Sequence, residues 1–256
     1  MEFSPDELKR YGRQLQLPEV GLEGQARLKA ASVLVVGAGG LGSPLAYYLA
    51  AAGIGRLGIV DGDAVEASNL QRQILYAHAD IGRPKASAAA ARLRALNPFI
   101  EVVAHPGRLT EANVIELVGA YDIVADGSDN FATRYAVSDA CALLGKPEVY
   151  GAVSRFTGEV SLFDIKGGAP CYRCLHPQPP APGVMPTCNE SGVLGVLPGI
   201  VGSLMAAEVL KRVLGLGETL AGTLLVVDAL TLEFRRLELR KDPDCALTAG
   251  AVAPRI

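Results

Sequence analysis

The sequence predicts an α/β fold built on a doubly wound, mostly parallel sheet that is extended by antiparallel strands. Three observations point to it. An apolar β-type segment, SVLVV, runs into Gly37-Ala38-Gly39-Gly40-Leu41-Gly42, then an alanine-rich helical segment, then LGIV ending at Asp61. Strand-like and helical segments go on alternating up to Pro147, the pattern of β-α-β units with parallel strands. Past Lys146-Pro147 two strand-like segments, 148–154 and 157–165, follow each other with only Arg155-Phe156 between them, as in an antiparallel hairpin.

Composition narrows the class. The 256 residues are 50% hydrophobic and 20% charged, enough chain for one large or two small domains. A net charge of −3 argues against an electrostatic nucleic-acid partner. No apolar run reaches the ~20 residues needed to span a bilayer. The N-terminus, MEFSPDELKRYGRQLQL, lacks the basic-then-apolar order of a signal peptide. A cytoplasmic protein is expected, and its five cysteines read as metal, catalytic or core residues rather than a disulfide framework.

Along the chain, Ser4-Pro5-Asp6-Glu7 opens a helix with a capping box, and this helix carries Arg10 and Arg13 towards Leu17-Pro18. A second short helix, 23–30, leads into the segment 33–61. That segment is a Rossmann-like fingerprint. Gly37 permits the tight turn, Gly39 has no Cβ to block a phosphate, and Gly42 lets helix and strand approach closely. Asp61, 19 residues past Gly42, stands where a carboxylate can accept hydrogen bonds from ribose hydroxyls. The default ligand of such a fingerprint is NAD.

The residues that follow point away from NAD. Asp63-Ala64-Val65-Glu66 and Ala67-Ser68-Asn69-Leu70-Gln71-Arg72-Gln73 form a long polar run. It reads either as an exposed loop or as a polyphosphate clamp of Asn69, Arg72 and Gln73, since guanidinium groups grip phosphate oxygens in bidentate fashion. Gly82-Arg83-Pro84-Lys85 opens a helix to Leu96, with Pro84 in its first turn. A lysine just inside a helix start opposes the dipole unless an anion offsets it, so Lys85 reads as a phosphate ligand. A strand at 100–104, a helix at 111–118 and a strand at 121–126 come next. The last delivers Asp126-Gly127-Ser128-Asp129-Asn130 to a helix beginning near Asn130. Asp129 is either the cap of that helix or a hard oxygen ligand for Mg²⁺. Cys141 reads as core.

Then come Cys171-Tyr172-Arg173-Cys174 and a proline-rich crossover, HPQPPAPGVMP, that ends at Thr187-Cys188-Asn189-Glu190. An amphipathic helix at 198–214, with Ile200, Leu204 and Ala207 on one face, precedes two closing strands at 222–228 and 232–240. The expected layout is N-terminal helices at 1–30, a nucleotide-binding half at 31–147 and a second half at 148–245. The crossover loop occupies 175–190 and a flexible tail 246–256.

In combination, GAGGLG, DGDAVEASNLQRQ, GRPKA, DGSDNFATRY and PTCNESGV resemble the MoeB/ThiF family, bacterial relatives of ubiquitin-activating enzymes. The resemblance runs from Tyr11 to about Cys245. It implies adenylation, with Mg·ATP, of the C-terminal glycine of a ubiquitin-like sulfur-carrier protein, for molybdopterin, thiamine or thiolation pathways. It places Gly37, Gly39, Gly40 and Gly42 along the nucleotide, with Asp61 and Asp63 beside the ribose end. It places Asn69, Arg72, Gln73 and Lys85 at the phosphates, Asp129 at the magnesium, and Asn130 among the residues that bind the nucleotide. Arg13 matches an arginine that reaches into the partner subunit's site, which implies a homodimer. Cys188 matches a cysteine that some relatives link covalently to the carrier. Relatives often carry two CxxC pairs that form a Cys₄ zinc site. Here Cys171, Cys174 and Cys245 are present, while Thr248 stands in the fourth place. With no rhodanese-like segment in the sequence, a separate sulfurtransferase is expected. The rival readings are an NAD-dependent oxidoreductase, a non-catalytic scaffold for a ubiquitin-like tail, and a relative that adenylates a tRNA base.

Overall fold

A computed structural model describes residues 2–179, 192–245 and 247. Its first helices follow from the opening residues. Ser4 caps α1 (Pro5–Leu15), accepting the Glu7 N–H at 3.2 Å while the Glu7 carboxylate accepts the Ser4 N–H at 2.9 Å. Glu7 also pairs with Lys29 of α2 (Gly21–Ala30) at 2.7 Å, which ties the two helices together.

Eight strands then form one sheet in the order β3-β2-β1-β4-β5-β6-β7-β8. β1 (Ser32–Val36), β2 (Arg56–Asp61), β3 (Glu101–Pro106), β4 (Ile123–Asp126) and β5 (Glu148–Ser154) pair in parallel. β6 (Thr157–Phe163), β7 (Thr223–Asp228) and β8 (Glu233–Glu238) extend it in antiparallel sense. Chain order reverses between β1 and β4. That switch point is where open α/β sheets leave a crevice beyond the strand ends.

The sheet is covered on both faces because alternate residues of each strand point opposite ways. Val33 and Val35 of β1 pack into a large core with Leu45 and Leu49 of α3 (Gly42–Ala52), Leu93 of α4 (Lys85–Leu96) and Met205 of α8 (Leu197–Leu214). Leu34 and Val36 pack the other way, with Val118 of α5 (Val114–Gly119) and Cys141 of α6 (Phe131–Leu144). Cys141 is therefore core, as its sequence context suggests.

Local differences from the sequence reading have physical reasons. The face of α8 that packs on the sheet is Leu197, Val201, Met205 and Val209, not Ile200, Leu204 and Ala207. Val201 and Met205 fill the space above Gly158 and Gly151, where the strands offer no side chain. Helix α5 starts three residues later than expected, because Asn113 accepts the Thr110 N–H at 2.8 Å and holds those residues in a turn. Pro84 is the cap residue of α4 rather than part of its first turn, leaving Lys85 as its first helical residue. The expected tail, 246–256, lies almost wholly outside the described residues.

One feature of the α6 face is costly. Glu148 is 1% exposed and Asp126 fully buried, and among the described residues neither Glu148 oxygen has a hydrogen-bond partner. Burial, reinforced by the Asp126 charge, pushes the Glu148 carboxyl well above its ordinary value of 4.5. The folded chain thus binds a proton that the unfolded chain releases above that value, so stability falls as pH rises. Glu148→Gln, which mimics the protonated acid, is expected to raise Tm little at pH 5. At pH 8 it should raise Tm by about 2–8 °C, from roughly 1–2 kcal/mol. An equal Tm difference at both pH values in thermal melts would contradict this account.

Candidate active site

A cleft of about 520 Å³ opens at the switch point. Its floor is the glycine turn. Gly37 adopts φ +81°, and a Cβ on it would lie 3.1–3.3 Å from the backbone of Gly127 and Ser128. A Cβ on Gly42 would collide with the Gly37 carbonyl, so this glycine closes the turn from within and does not line the cleft. Gly39 and Gly40 do line it. Among the described residues, a Cβ at Gly39 would meet only the Gln73 amide nitrogen, 3.6 Å away. The protein leaves that space for something else.

Asp61, at the end of β2, uses one carboxylate oxygen to accept the Ala38 N–H at 2.8 Å and the other to accept the Asp63 N–H at 2.8 Å. It braces the turn while keeping lone pairs towards the cleft. Burial raises its pKa, opposed by those amides and by the Lys85 charge. Lys85 is 6% exposed, and its Nζ lies 3.2 Å from the Asp63 carboxylate. The anion that offsets this lysine at a helix start is thus Asp63, whose own position is fixed by Asp61. Arg72 lines the cleft and donates to the Ser68 carbonyl at 3.2 Å. Gln73 is 4% exposed, and among the described residues its Oε1 has no partner.

Asp129 and Asn130 line the opposite wall. Asn130, not Asp129, caps α6, accepting the Thr133 N–H at 2.9 Å. That leaves the exposed Asp129 carboxylate available as a hard oxygen ligand. Two expected site residues stand apart from the cleft. Asn69 accepts the Glu66 N–H at 3.3 Å, and Arg13 is exposed on α1; neither is among the lining residues. Cys188 lies outside the described residues.

Sequence reasoning missed several participants. Tyr76 is buried and donates to the Ala38 carbonyl at 2.7 Å, tying the glycine turn to the loop that leads to α4. Arg108 and Thr110 follow the carboxyl end of β3 and line the cleft beside Asp63. The rule that ligands sit beyond the strand ends would have flagged 107–110, had it been applied to β3 as it was to β4. Arg134, one turn into α6, also lines the cleft.

A second cluster sits on α7 (Tyr172–Leu175) and the C-terminal segment. The sulfurs of Cys171 and Cys174 are 3.7 Å apart, and those of Cys171 and Cys245 3.4 Å. Tetrahedral zinc with Zn–S bonds of about 2.3 Å requires sulfur–sulfur edges of about 3.8 Å; both edges at Cys171 are close to that, and all three sulfurs lie within 4.8 Å of one another. Burial and the neighbouring sulfurs push the Cys171 thiol up.

Comparison with known proteins bears on what this cleft does. The family model described as "ThiF family" matches residues 11–247. The chain belongs to the ThiF family. It is 57% identical over 249 residues to the Thermus thermophilus "Sulfur carrier protein adenylyltransferase", covering 96% of this chain and 92% of that protein. It is 54% identical to the Sus scrofa "Adenylyltransferase and sulfurtransferase MOCS3", covering 95% of this chain but 54% of that protein. Among curated relatives of the MOCS3 kind, the chain spans about half of their length. Among solved structures, E. coli MccB with ATP superposes with a TM-score of 0.82 at 21% identity, covering 94% of this chain and 75% of that one. That likeness carries the fold: a mostly parallel sheet with an antiparallel extension.

The glycine geometry separates ligand space from protein space. Gly39→Val is expected to keep Tm within about 2 °C of the wild type and to abolish the thermal shift given by ATP. Gly42→Ala is expected to lower Tm sharply, by several kcal/mol of overlap with the Gly37 carbonyl. Thermal melts with and without ATP check both, and an ATP shift retained by Gly39→Val would contradict the placement.

Proposed function

We propose that this chain is an ATP-dependent adenylyltransferase. It activates the C-terminal glycine of a ubiquitin-like sulfur-carrier protein as an acyl-adenylate and releases pyrophosphate. The observation that carries this reading is the 57% identity, over nearly its whole length, to a protein named for that activity. The groups around the glycine turn support it. Arg72 and Lys85 face the same cleft as the exposed Asp129 carboxylate, which suits a triphosphate and its metal better than a nicotinamide.

In the proposed reaction, a carboxylate oxygen of the carrier's terminal glycine attacks the α-phosphorus. The bond from that phosphorus to the bridging α–β oxygen breaks, and its electrons leave with pyrophosphate. No general base is needed, because a terminal carboxylate is already ionised at neutral pH. Negative charge grows on the phosphates, where Arg72 and Lys85 would stabilise it and lower the barrier. Asp61 orients the ribose. Mg²⁺, when bound at Asp129, would neutralise phosphate charge.

The remaining assignments belong to the same proposal. The protein acts in the cytoplasm, as a homodimer in which Arg13 of each copy serves the other's cleft; among the described residues no helix is long and apolar enough to cross a membrane. Cys188 contributes to handling the activated carrier, with sulfur arriving from a sulfurtransferase. Zinc would be held by Cys171, Cys174 and Cys245, with a fourth ligand other than cysteine.

Lys85→Ala and Asp129→Ala are each expected to lower ATP–pyrophosphate exchange by at least about 100-fold, the usual cost of removing a group that stabilises transition-state charge. Circular dichroism should show an intact fold. Wild-type exchange rates in either variant would remove that residue from the mechanism.

A further inference from the structure

The Asp129 carboxylate makes no hydrogen bond or ion pair among the described residues, so only its backbone aims it. That backbone is gripped on both sides. Ahead of it, the Ser128 N–H donates to the Asp126 carboxylate at 2.8 Å. The Ser128 carbonyl accepts two N–H groups from the Arg134 guanidinium, Nη2 at 2.8 Å and Nε at 3.2 Å. Behind it, the Asn130 side chain caps α6. The Ser128 carbonyl belongs to the peptide unit that joins Ser128 to Asp129. Fixing its plane therefore fixes the direction in which Asp129 leaves the chain.

We propose that Arg134 is a positioning residue for adenylation, holding the Ser128–Asp129 peptide so that the Asp129 carboxylate meets the metal on the triphosphate. The proposal rests on the reading of Asp129 as the magnesium acid. Arg134 suits the task by geometry. Its guanidinium carbon lies over the rings of Phe131 and Tyr150, 5.7 and 5.5 Å from their centroids, and it faces the buried Asp126 charge. A planar fork held on its faces and by an opposing charge has little freedom left, so its donors are fixed in advance. Ser128 is 8% exposed whereas Asp129 is exposed, so the chain passes from locked to free within one residue. The same loop packs against the glycine turn, with the Gly127 N–H donating to the Val36 carbonyl at 3.0 Å. The grip of Arg134 therefore also sets the spacing between metal ligand and phosphate floor.

Arg134→Lys keeps the positive charge opposite Asp126 but cannot present the two-pronged donor. ATP binding to the full chain is measured by calorimetry with Mg²⁺ and again with EDTA. The expected result is a Kd for Mg·ATP raised about 10-fold, because a small misplacement of a positioned group has a large effect. Metal-free ATP binding should change by less than about 2-fold, on the same reasoning. In an Asp129→Ala background, Arg134→Lys should add nothing, since two residues acting through one contact are not additive. Equal weakening with and without Mg²⁺, additive effects, or unchanged Mg·ATP binding would each overturn the proposal. Arg134→Gln, which retains a planar N–H donor without charge, gives a second reading should the lysine variant melt early, with the same expected signature. If Asp129→Ala weakens ATP equally with and without Mg²⁺, the magnesium reading of Asp129 fails and takes this proposal with it. If Asp129→Ala is selective and the Arg134 variants are not, this proposal alone fails.

Discussion

The site depends on one close approach: two backbones meeting at the switch point of the sheet. The glycine turn after β1 and the Asp126–Asp129 segment after β4 pack so tightly that a Cβ on Gly37 would lie 3.1 Å from the Gly127 carbonyl oxygen. Parallel pairing of β1 with β4 brings the two segments together, and the Gly127 N–H to Val36 carbonyl bond closes the seam. The glycine turn and the wall that carries Asp129 are therefore neighbours by topology. Any residue but glycine at 37 would push them apart, and it would also have to adopt a backbone conformation that L side chains rarely take.

Around that seam the charges come in pairs. Asp61 holds the Ala38 and Asp63 amides, Asp63 holds Lys85, and Asp126 faces Arg134. Lys85, Arg108 and Arg134 thus each have an anion beside them before a nucleotide arrives, while Arg72 rests on the Ser68 carbonyl. In the proposed site, an incoming phosphate would replace or join that anion at Lys85 without leaving a buried charge alone, which would be costly. The pairing also explains how a lysine is tolerated as the first residue of α4. Glu148 is the exception, a buried acid whose oxygens find no donor among the described residues, and the burden of keeping it neutral falls on stability rather than on the cleft.

Much of the fold was legible because its signals are local. Strand β1, the glycine turn and Asp61 stand in one short stretch, and each follows from backbone geometry at known spacing. The antiparallel extension was legible too, since two strands separated by two residues can hardly be anything else. Lys85 stood out because it breaks a local rule, and such breaks are expected at functional sites. What stayed hidden depends on register between distant segments. The buried face of α8 is chosen by Gly151 and Gly158 on facing strands, which no periodicity in the helix reveals. Tyr76 and Arg134 act on carbonyls that only the folded chain brings within reach. Arg108 looked like an ordinary loop residue, and its place beside Asp63 appears only once β3 is paired with β2.

On the proposed function, the nucleotide in this cleft is consumed to activate a carrier carboxylate. Mass spectrometry of Gly-Gly-ended carrier proteins, each incubated with the chain, ATP and Mg²⁺, addresses it most directly. The account predicts that one carrier gains the mass of a single adenylyl group at its C-terminus, and that a carrier lacking the final glycine does not. Adenylyl transfer to neither, with ATP bound but intact, would contradict it.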